Sequence, residues 1–298
     1  MTFGSGARRG GPGDFEARLT RAEHLLAAPG GGGGAAGPLT LVSSVLRLQA
    51  GRATTPAVVA AAGAVATGAE LRRAAGRFPL LDLAAAIAPI AAEIPAAFSD
   101  LTRRAVALPE PLAAAGLALA NATPGERESL VEAWLEDPAG PEAVLGFWTR
   151  VAAGPVLEPA RAGVATPGRD DWSGAACPAC GGLAQASVIA EESGEFMGGS
   201  PRSLVCGRCA GWWTFPRAVC TWCSEADPRH LPSFVPDERR AVRIDGCETC
   251  SSYVKTFDLR EAGGAELVPL VDDVATVSLD LWAHDQGLAR PLVSFAGV

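Results

Sequence analysis

Four CxxC pairs, Cys177/Cys180, Cys206/Cys209, Cys220/Cys223 and Cys247/Cys250, account for all eight cysteines of this 298-residue chain. A CxxC turn brings two sulfurs to one side, and two such turns supply the four ligands of a tetrahedral ion at about 2.3 Å. Eight thiolates with none spare therefore fit two four-cysteine metal sites. With every position filled by sulfur, neither site keeps a place for a reacting water, so both are read as structural and the chain as no enzyme. Disulfides would need an oxidising compartment, which nothing in the sequence announces. A redox CxxC would sit on a βαβ unit, not among short strands and turns.

The spacing also bears on which pairs share an ion. Moving the first two pairs along by 43 and 41 residues lays Cys177/Cys180 on Cys220/Cys223 and Cys206/Cys209 on Cys247/Cys250, and "SLVCGRCAGWW" falls on "RIDGCETCSSYV". This is a tandem repeat. Its simplest assignment is one site from Cys177, Cys180, Cys206 and Cys209 and another from Cys220, Cys223, Cys247 and Cys250. A nested arrangement, inner four and outer four, stays open on spacing alone. Each site would take one ion, Zn or Fe, since sulfur-only tetrahedra accept either. A structural zinc contributes on the order of 10–16 kcal/mol in small modules, so the ions would hold this region together.

The rest of the chain is of another texture. The first half has no cysteine and reads as helix. "DFEARLTRAEHLLAA" places Phe15, Leu19, Ala22, Leu25 and Leu26 on one face with arginines and glutamates opposite, and Leu41, Val45 and Leu48 repeat the habit. Further helical segments, punctuated by prolines, run on to about 165, and the glycine run at 30–34 reads as a flexible loop. Near 165–172 turn residues and short β-like runs ("ASVIA", "SLVC", "AVRI") take over. From 267 to 287 a helix returns, which Asp272 or Asp273 can cap and on which Val274, Val277, Leu281 and Trp282 form a stripe. The expected fold is α+β and multidomain: an all-α domain over 1–168, tandem rubredoxin-like or zinc-ribbon modules over 169–262, and a C-terminal helix and tail over 263–298 packing on the ribbons.

Charge narrows the function. The chain carries a formal net charge of −8, and residues 172–261 hold nine basic against eleven acidic side chains before the thiolates are counted. Phosphate binding wants the opposite sign, so nucleic acid is not an expected partner. "GARRGG" at 6–11 lacks the apolar run of an export signal, and the uncharged stretch 53–69 is too short and too weakly apolar for a confident span. A cytoplasmic protein without membrane insertion is expected, with a homodimer left open. His24, His230 and His284 read as surface residues without a nucleophile partner.

These motifs resemble the FdhE family, accessory proteins for the maturation of respiratory formate dehydrogenase. "CPACGGLAQAS" matches its opening CPxCG with a following Ser, here Ser187. "RSLVCGRCAGWWTFPRAVCTWC" supplies Arg202, Trp213 and Arg217 in step with two CxxC pairs, "CETCSSYVK" supplies Tyr253 and Lys255, and "VDDVATVSLDLW" supplies Asp272, Asp273 and Asp280. The resemblance covers about 177–287. Asp245 stands where Glu is usual, and the tail "GLARPLVSFAGV" lacks the family's Asn-Pro-Phe. The resemblance implies a cytoplasmic, non-catalytic protein that binds the catalytic subunit of formate dehydrogenase before export. It also implies a partner surface at Arg202, Trp213, Arg217, Tyr253, Lys255, Asp272, Asp273 and Asp280. Lys255 is the only lysine in the chain. The competing reading is a rubredoxin-like iron electron carrier.

Overall fold

The computed structural model describes residues 10–30, 32–104, 106–137, 139–140, 142–190, 200–237, 239–263 and 266–297. Residues 6–9 of the "GARRGG" stretch and Gly31 of the glycine run lie outside them.

Helices fill the first half: α1 (Phe15–Ala27), α2 (Ala36–Ala53), α3 (Pro56–Ala66), α4 (Ala69–Ala74), α5 (Leu83–Arg103), α6 (Glu110–Asn121), α7 (Pro124–Glu136) and α8 (Ala143–Ala162). Their starts follow local chemistry. The side chain of Asp14 accepts from the Ala17 amide ahead of α1, Asp82 accepts from Ala85 ahead of α5, and Thr123 and Glu126 form a reciprocal capping box on α7. The prolines do not punctuate as expected. Pro89 and Pro95 lie inside α5, and Pro155 and Pro159 inside α8. An interior proline removes a helical hydrogen bond, and here both helices are held through it by the central packing, with Ile90, Ile94, Leu101, Val156 and Leu157 all fully buried. By length and composition α5 could cross a membrane, but in this fold it is a core helix of the bundle. The glycine run is more ordered than a flexible loop: Gly33–Ala35 forms a 3₁₀ turn leading straight into α2.

One charged residue departs from the expected helix faces. Arg18, on the side of α1 assigned to solvent, is 4% exposed and makes a buried ion pair with Glu158 of α8. The pair replaces water as the partner of both charges, which is why they tolerate burial.

The second half is one six-stranded sheet of β1 (Ala184–Ile189), β2 (Arg202–Cys206), β3 (Trp212–Thr214), β4 (Ser233–Phe234), β5 (Val242–Cys247) and β6 (Ser252–Asp258), in the order β3-β2-β1-β6-β5-β4. Within each repeat the strands are antiparallel, and β1 joins β6 in parallel at Ala186–Lys255 through Ile189–Asp258. By the repeat alignment, β2 corresponds to β5 and β3 to the start of β6, so the two units sit head to tail.

The expected C-terminal helix is two helices, α9 (Pro269–Ala275) and α10 (Val277–Asp285). Thr276 between them leaves helical geometry at φ −107°, ψ 31°, and its carbonyl and hydroxyl face the ammonium of Lys255 at 3.4 and 3.3 Å. The break splits the stripe. Val274 is buried at the junction with α1 and α2, whereas Leu281 and Trp282 are 54% and 36% exposed.

Candidate metal centres

Each CxxC pair makes the same turn. The residue after each second cysteine has positive φ: Gly181 at 68°, Ala210 at 53°, Ser224 at 63° and Ser251 at 53°. That left-handed residue turns the backbone so that its amide bonds back to the first cysteine's carbonyl, as Gly181 to Cys177 and Ala210 to Cys206, both at bonding distance. Only Gly181 carries the residue type that such a φ favours.

The turns bring the sulfurs together as two clusters, Cys177–Cys180–Cys206–Cys209 and Cys220–Cys223–Cys247–Cys250, with all four Sγ of each within 4.8 Å of one another. The arrangement is tandem, not nested. Sγ–Sγ separations are 3.7 Å for Cys177–Cys209, 3.5 Å for Cys180–Cys206, 3.7 Å for Cys220–Cys250 and 3.6 Å for Cys223–Cys247. Four sulfurs at about 2.3 Å around one ion stand about 3.8 Å apart, so both clusters fit a tetrahedral ion with little adjustment. No pair is at disulfide distance. The geometry suits a metal that takes four thiolates, and Zn and Fe(II) both do.

The two clusters differ in surroundings. All four cysteines of the first are 2% exposed or less and belong to the core that includes α5 and α8. Burial pushes the Cys180 and Cys209 thiols well above their ordinary range. At Cys206 burial acts the same way, but hydrogen bonds from Cys177, Cys180 and Cys209 outweigh it and the thiol falls. In the second cluster Cys223 is exposed and Cys250 half-buried. There burial is opposed at Cys250 by Ser252 and Cys223, which bring the thiol down to about 7.

Of the eight residues that the resemblance assigned to a partner surface, seven are interior and hold the fold. Arg202 is 4% exposed; it donates to Ser187 Oγ at 2.7 Å and to the carbonyls of Pro216, Arg217 and Val219. Trp213 donates to the Gly174 carbonyl at 3.1 Å. Lys255, fully buried, lies 3.0 Å from Asp273 Oδ1 and 2.6 Å from Asp280 Oδ2, and Tyr253 donates to Asp280 at 2.8 Å. Arg290 completes this group at 3.0 Å from both aspartates, leaving two cations against two anions. At Asp273 burial is outweighed by Arg290 and Lys255, which hold the carboxyl below its usual range; at Asp280 burial prevails over the same cations and raises it. Asp272 pairs with Arg21 of α1 and accepts from the Val268 amide at the start of α9, so its helix-end role and a tie to the first half coexist. Arg217 is the one of the eight at the surface. His24, His230 and His284 are all exposed.

Sequence reasoning missed four arginines. Arg290 sits in the tail whose role was in doubt, and its only signal is an arginine in an otherwise apolar segment. Arg150, Arg161 and Arg208 are all buried near the first cluster, and Arg208 lies between the two cysteines of a CxxC pair.

A helical half joined to a sheet that carries two four-cysteine clusters defines an α+β protein with twin cysteine modules. The FdhE C-terminal domain family matches residues 219–295, the second cluster and the helices after it. An FdhE homolog of Aquifex aeolicus is 36% identical over 126 residues, 42% of this chain and 43% of that protein. One of Edwardsiella ictaluri is 30% identical over 175 residues, 56% of this chain and 53% of that protein. The aligned regions thus span about half the length of these relatives. The crystal structure of the FdhE protein from Pseudomonas aeruginosa matches with a TM-score of 0.64 at 21% identity, over 98% of this chain and 97% of that one, a likeness of fold. Residues 219–295 thus match the FdhE C-terminal domain, and the chain is similar to FdhE homologs over about half of their length.

Proposed function

We propose that this protein is a cytoplasmic accessory factor for the maturation of respiratory formate dehydrogenase, that it binds the catalytic subunit of that enzyme before export, and that it performs no catalysis itself. The observation that supports the reading is the match of residues 219–295, with the second cluster, to the FdhE C-terminal domain, beside the similarity to FdhE homologs. The eight cysteines would bind two ions, one per cluster, as ligands that fix the ribbon. Closed four-sulfur geometry supports a role in shaping a binding surface over one in hydrolysis. The division at about 168 and 262 is retained as a proposal for the limits of the helical, ribbon and C-terminal parts. Of the eight resemblance-derived positions, Arg217 would touch the client directly and the seven buried ones would position the surface around it.

The test is direct binding of the purified, metal-loaded protein to the formate dehydrogenase catalytic subunit, with an unrelated molybdoenzyme as control. Selective binding is expected. No binding by protein with both sites filled overturns the reading. The exposure of Cys223 also suits an iron electron carrier; protein purified without oxygen would then show a reversible visible chromophore.

A further inference from the structure

The first cluster lies among guanidinium groups that have no carboxylate partner among the described residues. Arg161, at the end of α8, is 4% exposed and gives Nη1 and Nη2 to the Val164 carbonyl and Thr166 hydroxyl. Arg208, 3% exposed, gives its terminal nitrogens to the carbonyls of Cys180, Leu135 and Trp134 and stacks over the Trp134 ring at 4.5 Å. All of these acceptors are neutral. The Nε–H of both arginines is buried without a hydrogen-bond partner among the described residues. Two buried cations with orphaned donors call for a nearby anion.

The glycines beside the cluster show where that anion is. A Cβ on Gly211 would stand 2.8 Å from Arg161 Nε and 3.2 Å from Cys209 Sγ; one on Gly182 would stand 2.9 Å from Arg208 Cβ and 3.0 Å from Cys206 Sγ. A missing side chain is all that separates the Arg161 guanidinium from a ligand sulfur, while Arg208 meets the cluster at its Cβ and through the Cys180 carbonyl that its guanidinium bonds. Four thiolates around a divalent ion carry a net charge of −2, which is the missing counter-charge for Arg161 and Arg208.

Both arginines also tie the cluster to the helical half, Arg161 from α8 and Arg208 through two α7 carbonyls. The Leu80 and Leu81 amides add bonds of 3.0 and 2.9 Å to the carbonyls of Pro178 and Ala179 inside the first CxxC turn. The second cluster also has a buried arginine beside it, Arg202, which donates to the Val219 carbonyl next to Cys220, but among the described residues it is less enclosed. Cys223 is exposed, Trp222 beside it is 47% exposed, and a cavity of about 200 Å³ reaches Cys220 and Cys247 from the other side.

We propose that the two sites divide their labour. The first is a sealed keystone whose charge Arg161 and Arg208 balance and which locks the ribbon to the helices. The second is an open site that exchanges its ion with ligands from outside. The proposal rests on the reading that both clusters bind metal. Arg161 and Arg208 act as positioning residues, outside the coordination sphere. Outer partners of this kind change metal affinity by about tenfold or more when removed.

The experiment is zinc release from the full, zinc-loaded chain to a colorimetric chelator, after the zinc content has been measured. Two equivalents per chain are expected, leaving in two phases of equal amplitude with the second at least about tenfold slower. Cys223→Ser should remove the fast phase and keep the slow one. Arg161→Gln and Arg208→Gln should each speed the slow phase and leave the fast phase unchanged, and Arg161→Lys should restore it in part because the charge returns. A zinc content below two in well-folded protein overturns the two-site reading itself. Two equivalents leaving in a single phase, or arginine variants that change the fast phase, overturn the division of labour alone. If Arg161→Gln fails to fold, Arg208→Gln and the Cys223→Ser amplitude still decide.

Discussion

Lys255 illustrates how one side chain can organise a large part of this molecule. Its ammonium is fully buried and bonds to Asp273, Asp280 and the backbone at the α9–α10 break. Removing one partner of a buried ionic group leaves the others unpaired, a loss of roughly 3–5 kcal/mol, whereas an apolar replacement of the whole group can be neutral. Lys255→Met is therefore expected to lower the unfolding free energy of the metal-loaded protein, read from its denaturant midpoint and slope, by an amount in that range. Adding Asp280→Asn should recover part of it, because one orphaned charge is removed together with its partner. A double variant no more stable than Lys255→Met would show that the unpaired Asp280 carboxylate is not what costs stability. That Lys255 is the only lysine marked it out in the sequence. Its burial was not readable there, because the aspartates that permit it lie 18 and 25 residues away and meet it only through the break at Thr276.

Among the elements, α5 shows how a helix end carries a pH dependence. The Asp82 carboxyl is held below its usual range first by the Ala85 amide, with burial opposing and Arg72 assisting. A carboxyl depressed in the folded state lends stability that is fully present above its unfolded pKa of about 3.9 and is lost as pH falls through the lower folded value. Asp82→Ala should thus cost about 1 kcal/mol at neutral pH, the usual worth of such a cap. Thermal melts of the helical signal should show the gap between variant and parent closing as pH drops below about 4. A gap unchanged down to pH 3 would mean that the cap acts without its charge. The buried faces of α1 and α2 were legible from periodicity, since Phe15, Leu19, Leu41, Val45 and Leu48 are all buried. The length of α5 was not, because Pro89 and Pro95 read as stops. The short strands β3 and β4 left no periodic signal at all, having three and two residues.

Across the whole chain the cysteine spacing was the most legible feature, and it foretold the tandem grouping that the two clusters adopt. The asymmetry between them could not be foreseen. Both units carry similar motifs, and what seals one of them comes from Arg161, Leu80 and Leu81, far away in the sequence. The two halves of the repeat should accordingly fail differently. Cys206→Ala is expected to lower the melting temperature of the helical signal as well as zinc content, because the first cluster shares its core with α5 and α8. Cys247→Ala should release one zinc and disorder β5 and β6 with a smaller change in the helical melt. Circular dichroism and metal analysis of the two variants decide this, and equal losses in both would refute it.

The head-to-tail joint between the repeats has a further consequence. The parallel pairing of β1 with β6 is a translation, not a rotation, and a translated interface does not close on itself. The outer edges, β3 at one end and β4 at the other, are therefore of the same two kinds as the edges already joined in the middle. A third unit, or another copy of the chain, could in principle be added by the same rule. Growth is checked by brevity: β4 offers two residues and β3 three, too little ladder to template a neighbour. The molecule is in this sense a polymer of length two, terminated by its shortest strands.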